Sequence, residues 1–244
     1  MSNDTDILKA VLQHAQMDEF FTGGFAVRGP KREFEEDAGD MSNVDTASEL
    51  AKIARQVAKC CSCELGNQRT NAVPGEGDPN ARIVFVGEAP GADEDASGRP
   101  FVGRAGKLLV DIIKAMGLER EDVFICNILK CRPPGNRDPK PEEIIKCSPY
   151  LQRQLEAIGP EVIVALGAHA ARTLLNTKKP IGQLRGQFHE YFTSDDAEPI
   201  KLMPTYHPAY LVRNYSPDNR RRVWDDMKKV LADLDLPIPR GKKK

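Results

Sequence analysis

Between Arg82 and Leu109 the chain reads RIVFVGEAPGADEDASGRPFVGRAGKLL, the stretch that most restricts its fold. A β-branched run, Ile83 to Val86, breaks at Gly87-Glu88-Ala89-Pro90-Gly91. An acidic patch follows (Asp93, Glu94, Asp95), then Gly98-Arg99-Pro100-Phe101, then a helix opening near Ala105. A strand that ends in a glycine-flanked carboxylate and an aromatic tip, then turns into a helix, is how an open α/β sheet presents an active site.

The unit recurs. Leu108, Leu109, Ile112, Ile113 and Met116 share one helical face, with Gly117 as the stop signal. Val123–Cys126 reads as a second strand ending at Asn127. The Pro-rich loop Arg132 to Pro141 leads to a helix from about Glu142, which Pro149 interrupts or kinks. Val162–Leu166 is a third strand, capped by Gly167-Ala168-His169 and a short helix to Leu175. Phe188 to Phe192 and Ile200 to Met203 form a hairpin, and Val223 to Leu234 form a closing amphipathic helix. Upstream, Thr46-Ala47-Ser48-Glu49 reads as a capping box for a helix that delivers Cys60, and Gly75 to Pro79 reads as a turn-rich link. Strands alternating with helices predict an α/β fold, a three-layer αβα sandwich whose mostly parallel central sheet has about four strands. Glu88, Asn127, His169 and His207 then fall at carboxyl ends of strands and converge on one crevice.

Charge divides the chain. Residues 1–45 hold 10 acidic and 4 basic side chains and little to bury, so an acidic, disordered tail is expected ahead of a domain over 46–236. The overall net charge of −1 thus conceals a mildly basic body, compatible with nucleic acid without requiring it, and residues 237–244 form a basic tail. No segment resembles a membrane span or signal peptide, so the cytoplasm is the expected compartment. A phosphate-loop enzyme is excluded by Phe101 and Leu108, which stand where a Walker A loop needs Gly and Ser or Thr. No dinucleotide fingerprint opens a helix after a strand either.

Six cysteines in a reducing compartment favour ligand roles over disulfides. Cys60 and Cys63 are spaced to face one ion, and Cys131 and Cys147 are able to supply a second pair. Four thiolates suit zinc or an iron–sulfur cluster, and spacing does not decide between them. Cys126 reads as a core thiol; Cys61 is ambiguous.

Four blocks together carry a resemblance. Gly87 to Gly91, Gly98 to Gly103, Asn127 to Pro134 and His207 to Asn214 resemble, in order, the motifs of the family 4 uracil-DNA glycosylases, iron–sulfur enzymes of base-excision repair. The likeness runs from about Cys60 to Asn214. It implies a [4Fe-4S] cluster on Cys60, Cys63, Cys131 and Cys147, and excision of a uracil flipped out of single- or double-stranded DNA to leave an abasic site. It also implies a uracil pocket of Gly87, Glu88, Ala89, Phe101, Asn127 and His207. His207 would donate to uracil O2, the Asn127 amide would read O4 and N3–H, and Phe101 would stack on the base. Where the best-known branch of the superfamily carries a water-activating Asp and a thymine-excluding Tyr, this chain has Ala89 and Gly91. Glu88 is then the catalytic carboxylate, or an anchor of its loop through backbone N–H groups, and Glu94 is expected near uracil C5.

For DNA, Leu211 is expected to wedge into the gap left by the flipped base. Arg213, Arg132, Lys130 and Arg137 are expected on phosphates. His169 reads as local structure at the crevice rim. A monomer without membrane partner or nucleotide cofactor is expected. The alternatives are a non-catalytic iron–sulfur nucleic-acid-binding protein, which gives Asn127 and His207 no role, and a covalent uracil-trapping relative, which would need a histidine that Arg132 to Pro141 lacks.

Overall fold

The computed structural model describes residues 46–194, 197–214 and 216–239. The acidic tail 1–45 and the end of the basic tail lie outside them. In chain order the first half contains α1 (Thr46–Lys59), α2 (Leu65–Gln68), β1 (Glu76–Gly77), β2 (Ile83–Gly87), α3 (Ala92–Ser97), α4 (Arg104–Ala115) and β3 (Phe124–Asn127). The second contains α5 (Pro141–Ile158), β4 (Val162–Leu166), α6 (Gly167–Leu174), α7 (Ile181–Leu184), β5 (His189–Tyr191), β6 (Ile200–Thr205), α8 (Pro208–Arg213) and α9 (Pro217–Asp233).

Period-two alternation builds the layers. Val84, Val86, Ile163, Ala165 and Leu202 turn to one face, where Leu151 and Leu155 of α5 and Ala170 and Leu174 of α6 meet them. Ile83, Phe85, Val162, Val164 and Met203 turn to the other, against Leu109 and Ile113 of α4 and Met227, Val230 and Leu231 of α9. Every residue of β2 and β4 is buried, as a parallel sheet covered on both faces requires. Leu109 and Ile113 have no exposed surface, and each contributes on the order of 2 kcal/mol by burial.

The strand order is β1-β3-β2-β4-β6-β5. The four inner strands are parallel and both edges pair antiparallel. The sheet therefore has six strands rather than about four. Two-residue β1 lies inside the stretch that reads as a turn-rich link, because a Gly-Glu-Gly segment has no side-chain pattern to announce pairing. Its Gly77 backbone, at φ 139°, runs so close to β3 that a side chain there would collide with the Val123 carbonyl.

Two local expectations change. Thr46 lies within α1 rather than capping it: its hydroxyl donates to the Ala157 carbonyl, and Glu49 pairs with Arg153 of α5. Pro149 does not interrupt α5, which runs unbroken from Pro141. The carbonyl a proline deprives of its donor belongs here to Ile145, which is 42 % exposed and able to bond water. Among the described residues no helix is long and apolar enough to cross a membrane.

Candidate active site

The carboxyl ends of β2, β3, β4 and β6 open into one cavity of about 660 Å³. Glu88, Asn127, His169 and His207 all line it, together with Ala89, Phe101 and Arg213. The parallel order of the inner strands causes this, because it brings residues far apart in the chain to one edge.

Asn127 ends β3 and is 2 % exposed, yet its Oδ1 has no hydrogen-bond partner among the described residues. A buried acceptor without a donor costs about 1–3 kcal/mol, and this one belongs to a residue that lines the cavity. The surrounding backbone is fixed. The N–H groups of Ile128 and Leu129 donate to the carbonyls of Gly87 and Glu88, tying the end of β3 to the end of β2. Gly87 stands behind the cavity rather than in its lining. A Cβ there would overlap Asn127 Oδ1 and come within 2.6 Å of Phe101 Cζ, so the missing side chain makes room for both.

Phe101 has φ 50°, a left-handed conformation that costs a bulky residue on the order of 1–3 kcal/mol. The guanidinium of Arg120 donates to the carbonyls of Pro100 and Phe101 and is itself clamped by Glu76, which also pairs with Arg99. Burial works against ionising Glu76, and Arg99 and Arg120 overcome it, holding its carboxyl below the ordinary range. The result is a Phe101 ring 5.7 Å from the His207 ring, at 31° to it.

His207 caps α8. Its Nδ1 accepts the Ala209 N–H at 3.0 Å. Burial, reinforced by Arg213 and His169, pushes its pKa down to about 4. The ring is therefore neutral near pH 7, and with Nδ1 occupied as an acceptor its one proton resides on Nε2. This histidine is a neutral donor. Gly167, at φ 92°, packs where a Cβ would come within 2.8 Å of His207 Cβ. Behind the His207 loop, Asp226 of α9 is 1 % exposed and accepts from Thr205 Oγ1 at 2.6 Å and from Arg185. Arg185 in turn covers the Tyr206 ring at 5.3 Å.

The two carboxylates divide their work. Glu94 anchors the loop: its Oε1 accepts from the N–H groups of Val102 and Gly103 at 2.9 Å each, and its Oε2 from Gly91 at 3.1 Å. It lines the cavity with both oxygens already accepting from backbone. The Glu88 carboxylate accepts no hydrogen bond from the described residues, so the anchoring alternative for Glu88 fails. Burial raises its pKa, with Asp138 adding to the effect and His169 and Arg213 opposing it.

Several expected DNA contacts are corrected. Leu211 is 2 % exposed and packs into the core from α8, so it presents no wedge; its neighbours Tyr210 and Val212 are the exposed ones. Lys130 is 1 % exposed, and its ammonium donates to the Asn127 carbonyl at 2.8 Å and to Gln154 Oε1 at 2.6 Å. It supports the backbone at the end of β3 instead of reaching phosphate. Arg137 is committed to Glu143, which is 3 % exposed. Arg132 is not among those corrected: it donates through Nε to Asn136 Oδ1 and has no ion pair among the described residues. Arg213 remains exposed at the cavity, with no ion pair among the described residues. Arg120, Glu76, Arg185 and Asp226 escaped the sequence reading. Asp226 alone left a trace, as a carboxylate between Val223 and Met227 on an apolar helix face.

The cysteines meet elsewhere. Cys60, Cys63, Cys131 and Cys147 line a small cavity of about 20 Å³ between α1, the loop after β3, and α5. Cys61 is exposed with its Sγ toward the Lys59 carbonyl, and Cys126 is buried in the core. Arg69 Nη1 donates to Cys131 Sγ at 2.9 Å and the Lys130 N–H to Cys147 Sγ at 3.2 Å. Burial pushes the Cys147 thiol up to about 11 and also raises Cys131. Four thiols line one small space, with donors aimed at the sulfurs of Cys131 and Cys147, a donor set of the kind a soft metal centre takes.

Comparison with known proteins gives the family. The profile of the uracil DNA glycosylase superfamily matches residues 74–228. A type-4 uracil-DNA glycosylase of Thermotoga maritima is 49 % identical over 187 residues, covering 76 % of this chain and 95 % of its own. Another, from Saccharolobus solfataricus, is 50 % identical over 199 residues, covering 80 % and 88 %. A third, from Sulfurisphaera tokodaii, is 49 % identical over 186 residues, covering 74 % and 83 %.

Proposed function

Because this chain belongs to the uracil DNA glycosylase superfamily, we propose that its crevice excises uracil from DNA by hydrolysing the N-glycosidic bond. The observation that carries the reading is the buried, partnerless Oδ1 of Asn127 in the same cavity as the neutral His207. Uracil offers what these two groups lack. Its N3–H meets Asn127 Oδ1, its O4 accepts from the same amide, and its O2 accepts from His207 Nε2–H. Cytosine has an acceptor at N3 and a donor at position 4, so an amide held in this orientation rejects it. The Lys130 bond to the Asn127 carbonyl and the β2–β3 tie resist rearrangement of the strand end.

As the bond to N1 breaks, negative charge gathers on the base and positive charge on the sugar. A neutral histidine strengthens its hydrogen bond to O2 as that oxygen becomes anionic. Phe101 stacks on the base and Ala89 bounds the pocket. Glu88, free of backbone bonds, faces the sugar side, where its carboxylate orients the attacking water or stabilises the sugar cation. Arg213 and Arg132 contact phosphates on single- or double-stranded DNA. Tyr210, rather than buried Leu211, meets the strand beside the flipped nucleotide.

A [4Fe-4S] cluster is the group that Cys60, Cys63, Cys131 and Cys147 would hold; bound there it supplies no chemistry to a hydrolysis and ties α1 to the loop after β3. Such a centre and free thiols suit the cytoplasm. The test is excision from an oligonucleotide bearing one uracil beside a thymine control, read by alkaline strand cleavage. Cleavage at uracil alone is expected, and none at uracil would overturn the reading.

A further inference from the structure

At the mouth of the cavity three side chains from separate elements face one another, and the reaction above uses only one of them. Glu88 follows β2, Asp138 lies in the loop after β3, and His169 sits on the first turn of α6. One ligating atom from each lies within 4.8 Å of the other two, and His169 Nε2 stands 3.5 Å from Asp138 Oδ1. We propose that these three residues form a site for a borderline divalent transition metal, Zn²⁺ in kind, and that filling it blocks excision by withdrawing Glu88. The binding claim stands on the geometry alone; the blocking claim rests on the proposed function.

One imidazole nitrogen and two carboxylates are a donor set that zinc-like ions accept, with water completing the coordination. The two carboxylates face each other, and Asp138 adds to burial in disfavouring ionisation of Glu88 until a cation lies between them. Glu88 has no competing hydrogen bond. Asp138 is exposed and His169 half-buried, so an ion enters from solvent on the Asp138 side. The backbone carrying Asp138 is held, because Arg137 donates to its carbonyl at 3.0 Å while clamped to Glu143. The other charged group facing Glu88 is Arg213 of α8, which opposes a cation without contributing a ligand.

The experiment titrates Zn²⁺ by calorimetry into the purified full chain and into His169→Gln and Asp138→Asn. The same three proteins are then assayed for single-turnover uracil excision with and without Zn²⁺. Zinc held by thiols appears equally in all three, so the difference isolates this site. Both variants should bind at this site at least about ten-fold more weakly, since even supporting groups of metal ligands are worth about 10–100-fold in affinity. Their zinc-free rates should match that of the unsubstituted chain, with half-inhibiting Zn²⁺ raised by at least about ten-fold and EDTA restoring activity. Equal zinc binding in all three proteins would overturn the site. Weaker binding with unchanged inhibition would overturn the block. A chain that excises no uracil at all would remove the proposed function, with the calorimetric difference still deciding the site.

Discussion

The molecule holds two clusters of reactive side chains, and they are built on opposite terms. The crevice at the carboxyl edge of the sheet is a roomy cavity of about 660 Å³, with one buried oxygen unpartnered and one carboxylate free. The thiol site is a near-closed space of about 20 Å³ whose sulfurs already accept from Arg69 and the Lys130 N–H. A site for a transient guest leaves polar atoms unmatched, because only the right guest then satisfies them. A site for a resident group surrounds it and satisfies its donors. The contrast teaches that recognition here is maintained at a cost in stability, and that the fold next to the crevice has to be stiff.

The sharpest break of the comparison is Cys147→Ser. If the thiol site is a resident centre, iron should fall from about four atoms per chain and the melting temperature by roughly 10 °C, the shift expected for a loss of about 3–5 kcal/mol in a domain of this size. Unchanged iron and melting would make Cys147 an ordinary core thiol. In the crevice the effects should fall on rate. His207→Ala should slow single-turnover excision by about 10²-fold or more with the melting curve little changed, and a near wild-type rate would remove His207 from the reaction. Its pH behaviour sharpens the point. With a folded pKa of about 4, against 6.5 unfolded, the unfolded chain binds the extra proton first, so stability declines as pH falls from about 6.5 to 4. Protonation of His207 should not limit activity above that lower limit, so in a Glu88→Gln background, where the raised Glu88 carboxyl no longer titrates, a loss centred near 6.5 would contradict a neutral, enclosed ring.

Lys130→Met tests the seam between the two regions, since Lys130 touches both. It leaves the Asn127 carbonyl and Gln154 Oε1 without their donor, at about 2 kcal/mol of stability, and should raise KM more than it lowers kcat; a neutral effect on both would make the ammonium dispensable. Smallest is Tyr210→Ala, expected to weaken single-turnover excision about five-fold, in the range of one stacking contact, with stability intact. Leu211→Ala should instead cost about 2–4 kcal/mol of stability as a core truncation. The opposite pattern, a stable Leu211→Ala with impaired excision, would restore Leu211 as the wedge.

Much of the site is legible in the residues alone. Glu88, Asn127, His169 and His207 each follow an apolar run, and parallel topology sends such residues to one edge whatever the details of packing. The Cys60-x-x-Cys63 spacing groups two thiols, and the fold brings both to one small space with Cys131 and Cys147. Illegible were the directions of particular side chains. Nothing in the order Tyr210-Leu211-Val212 says which of them faces the core, because six-residue α8 is too short for its periodicity to be read. Lys130 resembles any surface cation until Gln154, twenty-four residues on, supplies its buried acceptor.

What the sequence determined by itself, then, is the αβα layering and the set of residues at the carboxyl edge, since both follow from local alternation of strand and helix. Tertiary structure alone decided the division of labour among them: Glu94 takes the backbone N–H groups and leaves Glu88 free, Arg120 holds Phe101 in its left-handed turn, and Asp226 braces the loop of His207. Those choices depend on which groups meet in three dimensions, where burial makes every unpaired polar atom costly and the fold settles which ones stay open.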